Sequence, residues 1–157
     1  MNQLEASFSQ GKLFRFAPRA VVDIDAPVER VWSILTDFAR YQEWNRFTPS
    51  VACAGKVGDP VLMQVCFPGR RPMRQRETLN VFEPPQRLAW GMRMGINAFL
   101  VANRYQILEP LDGHRTRYTT VDYLSGALAP LVEALYGRDM EAGFALAAAG
   151  LKQAAER

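Results

Sequence analysis

The sequence predicts an α+β fold: a curved antiparallel sheet of six or seven strands, two short N-terminal helices, and one long C-terminal helix enclosing a cavity. Three observations carry this. Residues 20–25 alternate as a strand does and stop at Ala26-Pro27, where helical spacing takes over. From Ser50 to Leu124, strand-forming segments follow one another across short turns, with no helical pattern between them, as in a meander. Residues 127–156 then carry one unbroken amphipathic pattern.

In order, residues 1–12 read as an irregular N-terminus and Leu13–Asp25 as the first strand, interrupted near Pro18. Ala20, Val22 and Ile24 alternate there with Val21, Asp23 and Asp25. Proline lacks an N–H and fixes its own φ, so Pro27 suits a first helical turn, with Asp25 placed to cap it. Val28, Val31, Trp32 and Leu35 recur at helical spacing and leave Glu29 and Arg30 to solvent, giving helices over Val28–Phe38 and Ala39–Trp44. Trp32 and Phe38 read as core packing.

Ser50–Ala54 is a brief strand, and 55–60 is turn chemistry. Val61–Phe67 is a strand, and Met73–Phe82 pairs back across Pro68-Gly69-Arg70-Arg71-Pro72. Pro84-Pro85 ends that strand and Arg87–Met94 begins the next. Ala98–Glu109 and Thr116–Leu124 form a hairpin around 110–115.

In the final segment, Ala127–Glu156, Leu128, Leu131, Val132, Leu135, Met140, Phe144, Ala147 and Leu151 make the apolar stripe. At ~1.5 Å per residue such a helix spans on the order of 45 Å, enough to cross a sheet. Gly137 and Gly143 weaken it by roughly 1 kcal/mol each against alanine, and a bend is expected near Gly137-Arg138-Asp139. One helix cannot fill a strongly curved sheet, so a void between the two is expected.

Composition fits an ordinary globule: 157 residues, 48% apolar and 22% charged, read as one domain over 1–157. No apolar run approaches the ~18 residues of a membrane span, and MNQLEASFSQ lacks a signal peptide's basic and apolar regions. A cytoplasmic protein without integral membrane association is expected. Cys53 and Cys66 give no metal spacing and no disulfide framework, and read as free buried thiols.

A net charge of +3 and a pI near 9.1 raise the question of nucleic acid. Sixteen arginines stand against three lysines, with Arg70, Arg71, Arg74 and Arg76 clustered. Pro68-Gly69 and Pro72 place two of these in a turn, where solvated charge is the default, and no nucleic-acid-binding signature accompanies them. Nucleic acid is not an expected partner.

The segments IDAPVERVWSILTDFARYQEWNRF, RYQILEPLDGHRTRYT and DYLSGALAPLVEALYGRDMEAGFALAAAGLKQAAE together resemble the START-like (SRPBCC) superfamily of polyketide cyclase/dehydratase, lipid-transport and pollen-allergen-like proteins. The resemblance covers nearly all of the chain after about residue 14 and implies a helix-grip fold with a hydrophobic pocket between sheet and long helix. No cofactor is expected, and the oligomeric state is open between monomer and dimer.

Strand alternation then nominates the lining. Leu88, Trp90, Met92 and Met94 form one face, and Val61, Met63, Val65 and Phe67 another. By the resemblance, Tyr118, Thr120, Asp122 and Leu124 face inward on the last strand, against Arg117, Thr119, Val121 and Tyr123. For 98–109 two readings stand. The greasier set is Phe99, Val101, Tyr105 and Ile107; the resemblance favours Leu100, Ala102, Arg104, Gln106 and Leu108, and a bulge near Asn103 would reconcile them. The candidate ligand-binding set is Trp44, Met63, Val65, Trp90, Met92, Arg104, Tyr118, Thr120, Asp122, Leu124, Leu135, Met140 and Phe144. The several methionines suit an irregular ligand, although singly they read as core filling.

Catalytic signatures are thin. His114 lies in the Asp112-Gly113-His114-Arg115 turn and reads as solvated, and no metal set, phosphate loop or nucleophile elbow is present. Arg104 and Asp122, if both inward, form a buried ion pair or polar anchor; on a rim they form a salt bridge. The expected function is binding of a hydrophobic small molecule (lipid, polyketide or aromatic) as carrier or sensor. The alternative is a cyclase, aromatase or dehydratase using the same pocket through Arg104, Tyr118 or Asp122.

Overall fold

A computed structural model describes residues 15–96 and 99–157. The elements run β1 (Arg15–Phe16), β2 (Arg19–Ile24), α1 (Val28–Thr36), a 3-10 helix (Phe38–Glu43), β3 (Ser50–Ala52), β4 (Pro60–Val65), β5 (Met73–Glu83), β6 (Arg87–Met94), β7 (Leu100–Pro110), β8 (Thr116–Ser125) and α2 (Ala129–Ala155). The expected irregular stretch 1–12, the strand start at Leu13 and the residue Ala98 lie outside the described residues. The described strands form one antiparallel sheet in the order β1-β8-β7-β6-β5-β4-β3, with β2 also on β8. The sheet is thus seven strands wide. The second short helix is 3-10 rather than α.

Pro18 divides the first strand as its missing N–H requires, and its carbonyl still accepts from the Asp122 N–H at 3.1 Å. Asp25 does not cap α1. The helix starts at Pro27 without a side-chain cap, and the Asp25 N–H instead donates to Glu156 Oε1 at 2.8 Å. Val31 and Leu35 are buried, while Trp32 is half-buried against Phe82 with ring centroids 5.4 Å apart.

The β7 ambiguity resolves without a bulge at Asn103. The ladder from Val101 to Pro110 runs against β8 in unbroken register, with Leu100, Ala102, Arg104, Gln106 and Leu108 inward. The charged and amide members of that set are buried, and Tyr105 instead meets Tyr123 on the outer face. The irregularity sits on β5, between Leu79 and Val81. An extra residue reverses parity, so Leu79 and Phe82 both face inward, opposite Trp90 and Leu88. Asn80, left over, donates through Nδ2 to Asn103 Oδ1 at 2.8 Å.

The buried side of α2 is Ala129, Gly137, Met140, Gly143, Phe144, Ala147, Ala148, Leu151 and Ala155. Leu131 and Leu135 are about half exposed and do not belong to the stripe. At about 100° per residue, Leu135 and Met140 point about 140° apart. The helix is unbroken through Gly137, which is buried near Phe16. Two glycines allow close approach: a Cβ at Gly143 would overlap the Phe47 ring, and one at Gly150 the Trp44 carbonyl.

Both ends of α2 are fastened. Leu128 N donates to Phe99 O at 3.0 Å at the start. At the far end, Arg30 Nε donates to Ala155 O (2.5 Å) and Lys152 Nζ to Asp23 O (2.7 Å). The two thiols are free and only half-buried, so the expectation of buried cysteines fails: both lie near sheet-edge turns.

Candidate ligand cavity

Between the N-terminal half of α2 and the concave face of β4–β8 lies a cavity of about 200 Å³. β4 contributes Met63 and Val65, and Phe67 follows, each buried by period-2 alternation against the exposed Leu62. β6 contributes Trp90 and Met92, β7 Leu100 and Ala102, and β8 Leu124. α2 supplies Val132, Tyr136, Met140 and Phe144, four residues apart and therefore on one face. Phe47, from the loop after the 3-10 helix, closes the end by edge-on contacts with Phe67 (5.5 Å) and Phe144 (5.6 Å). Met73, Gln75, Met92, Val132 and Tyr136 are half-exposed and form the mouth.

Three ionisable groups enter this apolar space: Arg104 from β7, Asp122 from β8 and Glu77 from β5. Arg104 and Asp122 are direct cross-strand partners, yet no salt bridge joins them, contrary to the expected ion pair. Arg104 Nε donates to Thr120 Oγ1 at 3.0 Å, and its guanidinium carbon stands 4.5 Å over the Phe144 ring and 5.6 Å from that of Phe47. Such stacking is worth about 0.5–2 kcal/mol and holds the plane of the group. Arg104 Nη2 and Asp122 Oδ1 are both buried without a protein partner. A buried polar atom left unpaired costs about 1–3 kcal/mol, more when charged.

The surroundings shift the carboxyls. Burial pushes Glu77 up to about 8, helped by the Asp122 charge and opposed by Arg104. Burial raises Asp122 to about 6, with Arg104 and a backbone N–H at Asn103 working against it. Burial thus holds Glu77 towards its protonated form more strongly than Asp122, which Arg104 and the backbone N–H keep closer to the carboxylate. Beneath this floor Tyr118 OH donates to Gln106 Oε1 at 2.8 Å, and burial raises the Tyr118 phenol.

Nine of the residues nominated from sequence meet here: Met63, Val65, Trp90, Met92, Arg104, Asp122, Leu124, Met140 and Phe144. Four do not reach it. Tyr118 is sealed below the floor, and Thr120 is spent on Arg104. Trp44 packs on Tyr41 at 4.7 Å beside Gly150, at the other half of α2. Leu135 points to solvent.

The nominated set omitted Glu77 and Gln75. Arg74, Arg76 and Thr78 alternate with them and are exposed, so the polar residues between must face inward. Among the described residues no three His, Cys, Asp or Glu side chains gather as a metal site would need. His114 is exposed in its turn, its N–H donating to Asp112 Oδ1 at 2.9 Å.

Solved structures share this architecture. An aromatase/cyclase, Zhui, from Streptomyces sp. R1128 superposes with a TM-score of 0.70 at 17% identity, covering 92% of this chain and 95% of its own. A protein of Thermus thermophilus gives 0.68 at 17%, covering 89% and 97%. Norcoclaurine synthase from Thalictrum flavum, solved with dopamine and hydroxybenzaldehyde, gives 0.68 at 10%, covering 90% and 86%. At these identities the likeness establishes the fold. A search of curated proteins returns no match. A sequence profile described as polyketide cyclase/dehydrase and lipid transport matches residues 16–156, nearly the whole chain, and the protein therefore belongs to that START-like family.

Proposed function

We propose that the protein binds a small, largely apolar molecule in the cavity between α2 and the sheet, as a carrier or sensor. The observation that carries this reading is an apolar, open-mouthed cavity whose floor holds a buried guanidinium with one nitrogen unpartnered. Apolar lining supplies affinity at ~25 cal/mol per Å² removed from water, and the few polar groups fix orientation.

A second reading is turnover of the bound molecule by acid–base chemistry, supported by the split between Glu77 and Asp122. Carboxyls held on opposite sides of neutrality are suited to act as acid and base. In a dehydration, Asp122 would take the proton from carbon, Glu77 would protonate the departing hydroxyl as water, and Arg104 would hold the enolate between them. Relatives in this fold include an aromatase/cyclase, which suits that chemistry.

One titration series tests both. An uncharged, environment-sensitive two-ring dye such as 6-propionyl-2-(dimethylamino)naphthalene should bind, and Phe144→Asp should weaken it more than tenfold while the protein still melts cooperatively. Absence of binding by any apolar probe would overturn the proposal. Where a substrate is found, Glu77→Gln and Asp122→Asn should abolish turnover and spare affinity if the enzymatic reading holds. Unchanged turnover in both variants would exclude it.

A further inference from the structure

We infer that the ligand is a one- or two-ring aromatic molecule, uncharged, carrying a hydrogen-bond acceptor and a hydroxyl donor on the same edge of the ring. This rests on the cavity being a ligand site, and adds size, charge and polar pattern to it.

Size comes from the volume. About 200 Å³ is below the ~300–1,000 Å³ of drug-sized pockets and near the ~150 Å³ of a cavity that holds benzene. Rings are favoured over a flexible chain by the faces on offer. Trp90, Phe47 and Phe144 present aromatic surface, and Met63 and Met92 supply polarizable contacts beside them.

The polar pattern comes from the two orphaned atoms. Arg104 Nη2 can only donate, and an ionised Asp122 Oδ1 can only accept. Their residues face each other directly across β7 and β8, so the two groups share one side of the cavity. A ligand satisfying both would present its acceptor and its hydroxyl towards that same side of the cavity.

Charge follows from the groups already in the site. Arg104 and Asp122 offset each other, and Glu77 is protonated below about pH 8. An anionic ligand would set a second negative charge beside Asp122 among apolar side chains, whereas a carbonyl and a hydroxyl add none. Glu77 in its acid form is a further donor for the carbonyl from the opposite side.

The test is a ligand series at pH 7, read by competition with the dye and by saturation-transfer NMR. It comprises acetophenone, its 2-, 3- and 4-hydroxy derivatives, 3-methoxyacetophenone, benzoate and dodecanoate. The 3-hydroxy isomer should bind about tenfold or more tightly than acetophenone, as for a hydrogen bond to a charged partner, whereas the 2-hydroxy isomer spends its donor on its own carbonyl and should gain less. The 4-hydroxy and methoxy compounds should show no such gain, and benzoate and dodecanoate should bind weakest. Equal affinity across the hydroxy series would overturn the inference. So would preference for dodecanoate or benzoate with the dye still displaced and Phe144→Asp still defective, and this would leave the cavity standing as a ligand site. Failure of the dye and of every compound would overturn both.

Discussion

Glu77 faces an apolar cavity from a stretch of β5 whose flanking residues, Arg74, Gln75, Arg76 and Thr78, are all polar, and its burial there sets its chemistry. Its carboxyl ionises near the ordinary value of 4.5 when unfolded, but near 8 in the fold. Between those values the native state holds a proton that the unfolded chain has lost, so stability falls as pH rises from about 4.5 to 8 and the loss is complete above that window. Glu77→Gln removes the titration. The variant should match the wild type at pH 5 and exceed it by about 1–3 kcal/mol at pH 9 in urea unfolding. A difference independent of pH would mean that Glu77 is solvated. Arg104 and Asp122 were legible as inward candidates through the family resemblance, since apolar alternation along 98–109 by itself pointed to the opposite face. Glu77 was not, because the neighbouring arginines draw attention to charge rather than to parity.

Among the elements, the long helix shows where pattern reading succeeds and where it drifts. Its existence and extent are legible from apolar spacing, within two residues at the start and one at the end. The side it buries is less so, because leucines at 131 and 135 suggest a stripe that the true path of Ala147, Ala148 and Leu151 leaves behind. Small residues mark the contact instead, since glycine and alanine let the loop bearing Phe47 and Trp44 press close. Gly150→Ala tests this. Helix propensity alone favours alanine by about 1 kcal/mol. The added methyl would overlap the Trp44 carbonyl, a backbone atom that cannot swing aside as a side chain can, and this costs about 1–3 kcal/mol, so a net fall in Tm is expected. A rise in Tm would show that the loop gives way freely. The bulge on β5 was invisible to alternation, because Val81 and Phe82 are both apolar and either could face inward.

Across the whole molecule, strand order, antiparallel pairing and the helix over the sheet follow from turns and periodicity, which are local. The cavity's polar floor depends on which buried groups find partners, and that is decided between strands far apart in sequence. The same holds for the mouth. Arg70, in the turn where Gly69 takes φ 71°, reaches α2 with Nε 2.7 Å from Asp139 Oδ2, Nη2 2.6 Å from Leu135 O, and its carbon 4.6 Å over the Tyr136 ring. The pair is exposed and adds little to stability. Arg70→Ala should therefore leave the melting curve nearly unchanged while speeding dye release several-fold in stopped-flow experiments. An unchanged release rate would remove the arginine from the path.

A beam pinned at both ends cannot lift. With Leu128 tied to Phe99 at one terminus and Ala155 to Arg30 at the other, α2 has no free swing, and passage in or out falls to the flank formed by the β4–β5 turn. Residence time then becomes a property of one latch rather than of the greasy lining, and capture strength and exchange speed can change independently of each other.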